Sequence, residues 1–302
     1  MKVSGFTFVR NGVKFRYPFK ASILSILPIC DEFIVNCPES EDETLSELRT
    51  LQQAHPKIKI IETAWDENLR RGGRILAHHT NLALSHCSGD WCFYLQADEV
   101  VHEKYLDYIH TCMKKYHPDR RVEGLLFKYL HFYMSFSTYF DKRPFYRREI
   151  RIIRNHRGIY SYKDAQGFRI DNRKLNVVLI DAYIYHYGWV RPESTMKEKQ
   201  KHFDRYWHDD QWVEQRYRHL KKIYEHVEGL KFFTGTHPAV MQSIIAQADW
   251  QIVPDPREVK ITNPLKKCIH FLEDRVFRTQ IGEYRNYRII RKDPGASSSS
   301  TQ

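Results

Sequence analysis

Gly89-Asp90-Trp91-Cys92-Phe93-Tyr94-Leu95-Gln96-Ala97-Asp98-Glu99 is the stretch whose reading decides the fold. Trp91 to Leu95 is apolar throughout, with no polar alternation, the pattern of a strand covered on both faces. It follows a Ser88-Gly89 break and ends on a polar turn with two carboxylates. Working upstream, Val3–Val9, Phe33–Val35 and Ile58–Ile61 read as three more short apolar strands. Helical spacing fills the gaps: Phe19–Leu27 after Pro18, a segment from Thr44 to just before Pro56, and a helix opened by Gly72-Gly73 and running through Leu84. Strands separated by helices of this length predict a mostly parallel sheet with right-handed crossovers, an α/β fold flanked by helices.

Downstream of Val122 the pattern changes. Gly124–Tyr133, Glu149–Arg154 and Val177–Tyr185 read as strands that complete the sheet with an antiparallel element, and 155–158 reads as a turn. Glu193 to about Val227 and Pro264 to Ile290 read as helices joined through 255–263. Residues 1–190 are therefore expected to form the α/β domain, 191–292 a helical C-terminal extension, and 293–302, ending in a serine-rich run, a disordered tail.

The chain has 302 residues, 42% hydrophobic and 14% aromatic, enough for a sizeable core. Mean hydropathy is −0.61, and no apolar run approaches the roughly 18 residues that span a bilayer. The amino-terminal apolar stretch is interrupted by Thr7 and stopped by Arg10-Asn11, short of a secretory signal. The reading is a soluble, cytoplasmic protein. Six cysteines (30, 37, 87, 92, 112 and 268) form no C-x-x-C pair and read as small buried hydrophobes. A formal charge of +11 and a pI near 9.2 point to an anionic partner.

Ligands of an open parallel sheet bind at the carboxyl ends of its strands. Here those ends carry Arg10-Asn11, then Asn36 with the loop Ser40-Glu41-Asp42-Glu43-Thr44, then Gln96-Ala97-Asp98-Glu99. No G-x-G-x-x-G follows the first strand and no G-x-x-x-x-G-K-[ST] exists, so a glycine-rich phosphate cradle is absent. A divalent cation on carboxylates is another way to hold a diphosphate. Asp98 and Glu99 are placed for that; the bland alternative is that they favour the start of the helix near His102.

In order and spacing, Val9-Arg10-Asn11, Ser22-Ile23-Leu24, Asp31-Glu32-Phe33-Ile34-Val35, Ser40-x-Asp42-x-Thr44, Thr80-Asn81-x-Ala83-Leu84 and Gly89-Asp90-Trp91-x-x-Tyr94-Leu95-x-Ala97-Asp98-Glu99 resemble glycosyltransferase family 2, whose fold is called GT-A. The resemblance covers roughly residues 2–190. It implies a metal-dependent inverting transfer from a nucleotide-diphosphate sugar, with Mn²⁺ or Mg²⁺ on the diphosphate, to a glycan or glycolipid hydroxyl. Asp98 matches the metal-binding aspartate of the family's D-x-D motif, and Asp42 falls in the loop near the nucleotide. Gln96 stands where the family has its first aspartate and Asn36 where an aspartate often meets the base, so those two contacts are neutral. Arg10, Asn11, Asn36, Asp42, Gln96 and Asp98 form the expected nucleotide-sugar set. His186, at the end of the apolar strand Val177–Tyr185, is the expected late metal ligand beside Asp98, against the plainer reading of an aromatic-packed histidine with a satisfied nitrogen.

Transfer also needs a general base on the acceptor side. Asp164, in the loop-like Tyr162-Lys163-Asp164-Ala165-Gln166-Gly167, is the first choice over Glu149 and Asp141; its bland reading is a loop aspartate paired with Lys163 or Arg169. The run Arg147, Arg148, Arg151, Arg154 and Arg157 is either a solvated strand face or an anion clamp, with Arg148, Ile150 and Ile152 expected on one face. Tyr206, Trp207, Trp212 and Tyr217 could stack on sugar rings, and by default read as a stripe packing their helix. Leu265–Arg291 interleaves apolar with basic residues, so it either packs on the domain or lies on an anionic membrane surface. Two competing functions are a non-catalytic nucleotide-sugar binder, motivated by Gln96, and a basic nucleic-acid-binding protein. Against the latter, no nucleic-acid module is recognisable and the basic residues are dispersed, so nucleic acid is not an expected partner.

Overall fold

The structure, a computed structural model, describes residues 1–141, 145–155, 157–224, 227–250, 252, 254–255, 257–277 and 282–295. Its first half alternates as the sequence predicts: β1 (Val3–Phe8), α1 (Phe19–Ile26), β2 (Glu32–Pro38), α2 (Thr44–Ala54), β3 (Ile58–Thr63), α3 (Arg74–Ser85) and β4 (Trp91–Tyr94). β1 lies between β2 and β4, parallel to both, and β3 is parallel to β2. The unalternating apolar strand is covered on both faces. Trp91 and Phe93 pack with Phe33, Val35 and Leu48, while Cys92 and Tyr94 pack with Phe6, Ile34 and Ala83.

The second half adds β5 (Glu99–Val101), α4 (Leu106–Tyr116), β6 (Gly124–Tyr133), β7 (Thr138–Phe140), β8 (Arg148–Arg154), β9 (Ile159–Tyr162), β10 (Gly167–Ile170) and the long β11 (Arg173–Trp189). β8 inserts antiparallel between β4 and β6, and β6 runs parallel to β11. The result is one mixed sheet in the order β3-β2-β1-β4-β8-β6-β11-β10-β9, flanked by helices. The α/β class therefore holds, with parallel pairing concentrated in the first half.

Three expectations change. In β8, Leu125 faces Ile152 and Leu126 faces Ile150, so Arg151 is the extra residue of a bulge. Ile150 consequently joins one core and Ile152 the other, where simple alternation put them together. The helix expected from Glu193 to Val227 is two, α5 (Glu193–Asp204) and α6 (Asp210–His219), because the Asp209 carboxylate accepts from Trp212 N at 2.8 Å and caps a new start. Residues 225–226 of that span lie outside the described residues. After β12 (Lys231–Phe232) and α7 (Gln242–Ala246), the helix expected from Pro264 to Ile290 is α8 (Pro264–Phe271) with a π-helical continuation Leu272–Phe277. Its far end is instead a strand, β13 (Tyr287–Lys292), parallel to β11. That strand satisfies backbone groups along Leu175–Leu179 that β6 and β10 leave free on one edge. Cys268 is exposed, unlike the other five cysteines. Among the described residues no helix is long and apolar enough to cross a membrane. Of the expected tail, 296–302 lies outside the described residues.

Candidate active site

The turn linking β4 to β5 is fastened from three sides. The Ser22 hydroxyl donates to Gln96 O (3.0 Å), Gln96 N donates to Glu99 Oε2 (3.1 Å), and Tyr187 N donates to Asp98 O (2.8 Å). Glu99 turns away from the strand end into the core. Both its oxygens accept from Arg151, Nε and Nη2 at 2.7 Å each, and Tyr129 Oη adds a third bond at 2.8 Å. Glu99 and Arg151 are each fully buried, so Glu99 neither faces a ligand nor serves the next helix. Arg151 is not part of a solvated or anion-binding face. Arg154 is likewise internal, donating to the carbonyls of Val122, Tyr116, His117 and Asp119 at the end of α4.

Asp98 is held differently. β5 pairs antiparallel with β11 so that Glu99 faces His186, which sets His186 beside Asp98. His186 Nε2 lies 3.7 Å from Asp98 Oδ1, and Lys199 Nζ donates to Asp98 Oδ2 at 3.2 Å and to Gly188 O at 2.8 Å. Burial works to raise the Asp98 pKa, but Lys199, His186 and Arg191 outweigh it and hold the carboxyl well below its usual range. Burial, with Arg191, pushes Lys199 down to about 7 against the pull of Asp98. Burial lowers His186, opposed by Asp98 and Glu99. A side chain at position 188 would displace these groups: a Cβ there would lie 2.5 Å from His186 Nε2 and 2.9 Å from Asp98 Oδ2.

These groups open into a cavity of about 280 Å³ at the carboxyl ends of β1 and β4. Arg10, Gln96, Asp98, Asp164 and His186 all line it, which brings together five expected site residues from four separate segments. Arg10 lies over Trp65, 4.2 Å from the ring centroid, and donates through Nε to Glu39 O. Its Nη2 lies 3.8 Å from Glu41 Oε1, and its buried Nη1 has no partner among the described residues. Asp164 sits in the turn of the β9–β10 hairpin, between Lys163 (φ 54°) and Ala165 (φ 61°), both in the left-handed region. It is half-buried, and among the described residues it makes no hydrogen bond or ion pair; neither Lys163 nor Arg169 pairs with it. Such outliers, one on either side of Asp164, cost about 1–3 kcal/mol each and persist where the surroundings enforce a particular geometry. Of the weaker base candidates, Asp141 pairs with Lys231 at 2.6 Å. Glu149 accepts from Gln166 at 2.9 Å beneath the same hairpin, and burial pushes its carboxyl up to about 8.

Asn11, Asn36 and Asp42 do not line the cavity. Asn11 (φ 51°) accepts from Glu41 N and shapes the turn after β1. Asp42 accepts from Thr44 N and Lys14 N, tying that turn to the start of α2. Asn36 donates to His79 O (3.0 Å) and accepts from Thr63, and His79 stacks on Trp65 at 4.9 Å, so Asn36 acts from behind the cavity wall. The wall also holds Tyr206 and, not foreseen, Tyr17, Trp65, Lys199 and His202. Tyr206 packs against Ile75, Leu76 and Ala165 as the stripe reading expects and lines the cavity as well, and Tyr217 is buried with its hydroxyl on Asp204. The signal for Lys199 was present: it lies three residues after Met196 and four before Phe203, a lysine on the apolar stripe of α5.

No family model matches the chain, and no curated protein matches it. Solved structures similar in part include S. aureus TarS 1–349 in complex with UDP-GlcNAc, at 20% identity and a TM-score of 0.32 over 42% of this chain and 34% of that one. A mannosyltransferase from Pyrobaculum calidifontis in complex with GDP-Man and Mn²⁺ has 20% identity and a TM-score of 0.32 over 41% and 34%. TarS 1–349 with UDP has 14% identity and a TM-score of 0.40 over 71% and 69%. The chain thus spans about a third of the length of the first two. Similarity at this level is partial likeness of chain path and says nothing about this chain's reaction.

Proposed function

We propose that the chain is a nucleotide-sugar-dependent, inverting glycosyltransferase acting on a glycan or glycolipid hydroxyl. The observation that carries this reading is the convergence of Asp98, His186, Asp164 and the partner-free Arg10 Nη1 on one cavity at the carboxyl ends of parallel strands. Arg10 and Lys199 offer cationic donors to a diphosphate, and Gln96 a neutral contact. Asp164 accepts the proton of the acceptor hydroxyl at its carboxylate while the sugar carbon is attacked from the face opposite the diphosphate. A partner-free carboxylate in a strained turn favours an enzyme over a non-catalytic binder.

A divalent cation fits the donor set. Asp98 Oδ1 and His186 Nε2 face each other beyond hydrogen-bond distance, one oxygen and one imidazole nitrogen. Among the described residues no third His, Cys, Asp or Glu joins them, so substrate phosphates and water would have to complete the shell. When bound, Mn²⁺ or Mg²⁺ would neutralise charge on the leaving diphosphate. Calorimetry with UDP and GDP, with and without Mn²⁺, tests the reading: binding of at least one should strengthen with Mn²⁺, and Asp98→Asn should remove the metal-dependent part. No binding of either nucleotide, or an unchanged metal effect in the variant, refutes it.

The reading includes a peripheral contact with anionic membrane on the cytoplasmic side. α8 buries none of its residues; Leu265 and Phe271 are 69% and 61% exposed beside Lys266 and Lys267. A helix packing its stripe on the domain would bury them. Arg278 and Ile281 of the expected stripe lie outside the described residues. Co-sedimentation should favour anionic over neutral vesicles and weaken with salt; equal, negligible binding refutes the contact.

A further inference from the structure

We infer that His131 is a positioning residue that holds His186 as its Nδ1–H tautomer and thereby turns the Nε2 lone pair toward Asp98. The inference deepens the glycosyltransferase reading and rests on it for the use made of that lone pair.

The argument is a chain of single-proton assignments. His131 Nε2 lies 2.7 Å from the carbonyl oxygen of Tyr146. A carbonyl only accepts, so Nε2 carries the proton. His131 is fully buried, its ring stacked against Phe145 at 4.8 Å and Tyr129 at 5.2 Å and edge-on to Tyr146 at 4.7 Å. Those three rings fix its plane. In the neutral ring the second nitrogen, Nδ1, is then an acceptor. His186 Nδ1 sits 3.0 Å from it and must donate, so in neutral His186 it is Nε2 that keeps a lone pair.

That lone pair points at Asp98 Oδ1 across 3.7 Å, two acceptors with no hydrogen to share. Lys199 already occupies Oδ2, so the carboxylate presents its other oxygen to the same space. An imidazole binds a cation through its lone pair, and the partner of its other nitrogen decides which nitrogen that is. The opposite tautomer would aim an N–H at Asp98 and close the space with a hydrogen bond. His131 thus takes up the His186 nitrogen that does not face Asp98, as Lys199 takes up the Asp98 oxygen that does not face His186.

The test uses the full chain labelled with ¹⁵N-histidine and long-range ¹H–¹⁵N correlation at mildly alkaline pH. Sixteen histidines contribute, and the spectrum of His186→Gln assigns the residue. His186 in the wild type should show a protonated Nδ1 and an unprotonated Nε2. His131→Phe should lose that pattern. His131→Gln should restore it, because the amide NH₂ can donate to Tyr146 O while its oxygen accepts from His186. A wild-type His186 protonated at Nε2, or a pattern unchanged in the Phe variant, overturns the inference. Should the Phe variant not fold, the wild-type pattern and His131→Gln decide. A separate titration with Mn²⁺ alone should broaden the His186 Hε1 signal, with about 10–100-fold more metal needed in His131→Phe, the usual worth of such a partner. Absent broadening with the tautomer intact would overturn the cation reading and leave the tautomer assignment standing.

Discussion

Replacing Arg151 with methionine probes the frame behind the site. The guanidinium makes two 2.7 Å charge-assisted bonds to Glu99, donates to Ile150 O and Gln166 O at 2.9 Å each, and lies 5.3 Å and 5.5 Å from the Tyr94 and Tyr129 ring centroids. Methionine keeps much of the stem's packing and deletes every polar bond, stranding the Glu99 carboxylate at 0% exposure. Hydrogen bonds to charged groups contribute about 1.5–3 kcal/mol each. Breaking a buried pair by removing one partner costs about 3–5 kcal/mol, a large part of the roughly 5–15 kcal/mol that holds a typical domain together. Urea unfolding of Arg151→Met should therefore show a loss of about 3–5 kcal/mol. Glu99→Gln should show a comparable loss, and the double variant should fall well short of the sum because neither orphan remains. The pair also joins two turns at the proposed site: Glu99 holds Gln96 N, and Arg151 holds Gln166 O in the turn that carries Asp164. Activity should fall in either variant even where it is folded. A loss below about 1 kcal/mol, the range of a surface pair, or strictly additive losses, would refute the assignment of this pair as the frame.

Asp164→Asn should preserve nucleotide binding and lower transfer by about 10²–10⁴-fold in single-turnover assays with a true acceptor, the usual worth of a positioned base; near-wild-type transfer would move the role elsewhere. Gly188→Ala places a methyl 2.5 Å from His186 Nε2 and 2.9 Å from Asp98 Oδ2, so Mn²⁺-dependent nucleotide affinity should be lost in calorimetry while the fold persists, and retained affinity would show that the cation sits elsewhere. Glu149 has its carboxyl pushed up to about 8 from 4.5 by burial. Its proton is therefore kept on folding but lost on unfolding between those values, and its contribution to stability declines as pH rises through that window. Relative to wild type, Glu149→Gln should gain on the order of 2–3 kcal/mol from about pH 5 to pH 7.5 in urea unfolding; a pH-independent difference would show that the group ionises normally.

The parts of this chain that were legible in its sequence are those where one local signal suffices. Trp91–Leu95 announces a strand buried on both faces because five apolar residues in succession leave no side for water, and its neighbours repeat the signal at helix-length spacing. Asp98, Asp164 and His186, which line one cavity, could be singled out as candidates because each is a chemically capable residue at a strand end or a tight turn, Asp98 with the added weight of the family resemblance. Other features depend on pairing partners far away in the chain. Arg151 looks like one of five surface arginines until the bulge at β8 turns it under the sheet toward Glu99. Tyr287–Lys292 has an apolar spacing that also suits a helix, and only the open edge of β11 makes it a strand. His131 lies in a strand of aromatics with nothing local to mark it. Lys199 could have been seen, since a lysine in the apolar stripe of a helix must find an anion or pull the helix open, and the anion turned out to be Asp98. The carboxylate that the family resemblance assigns to a metal is thus half-neutralised by the protein's own ammonium before any ligand arrives. A dication and an ammonium on opposite oxygens of one aspartate repel each other, and a diphosphate bound between them would relieve that repulsion. Lys199→Met should therefore tighten the binding of Mn²⁺ alone, because the carboxylate loses a competing cation, and weaken Mn²⁺-dependent nucleotide binding, because the diphosphate loses a donor. Calorimetry that found both affinities moving in the same direction would refute that division of labour.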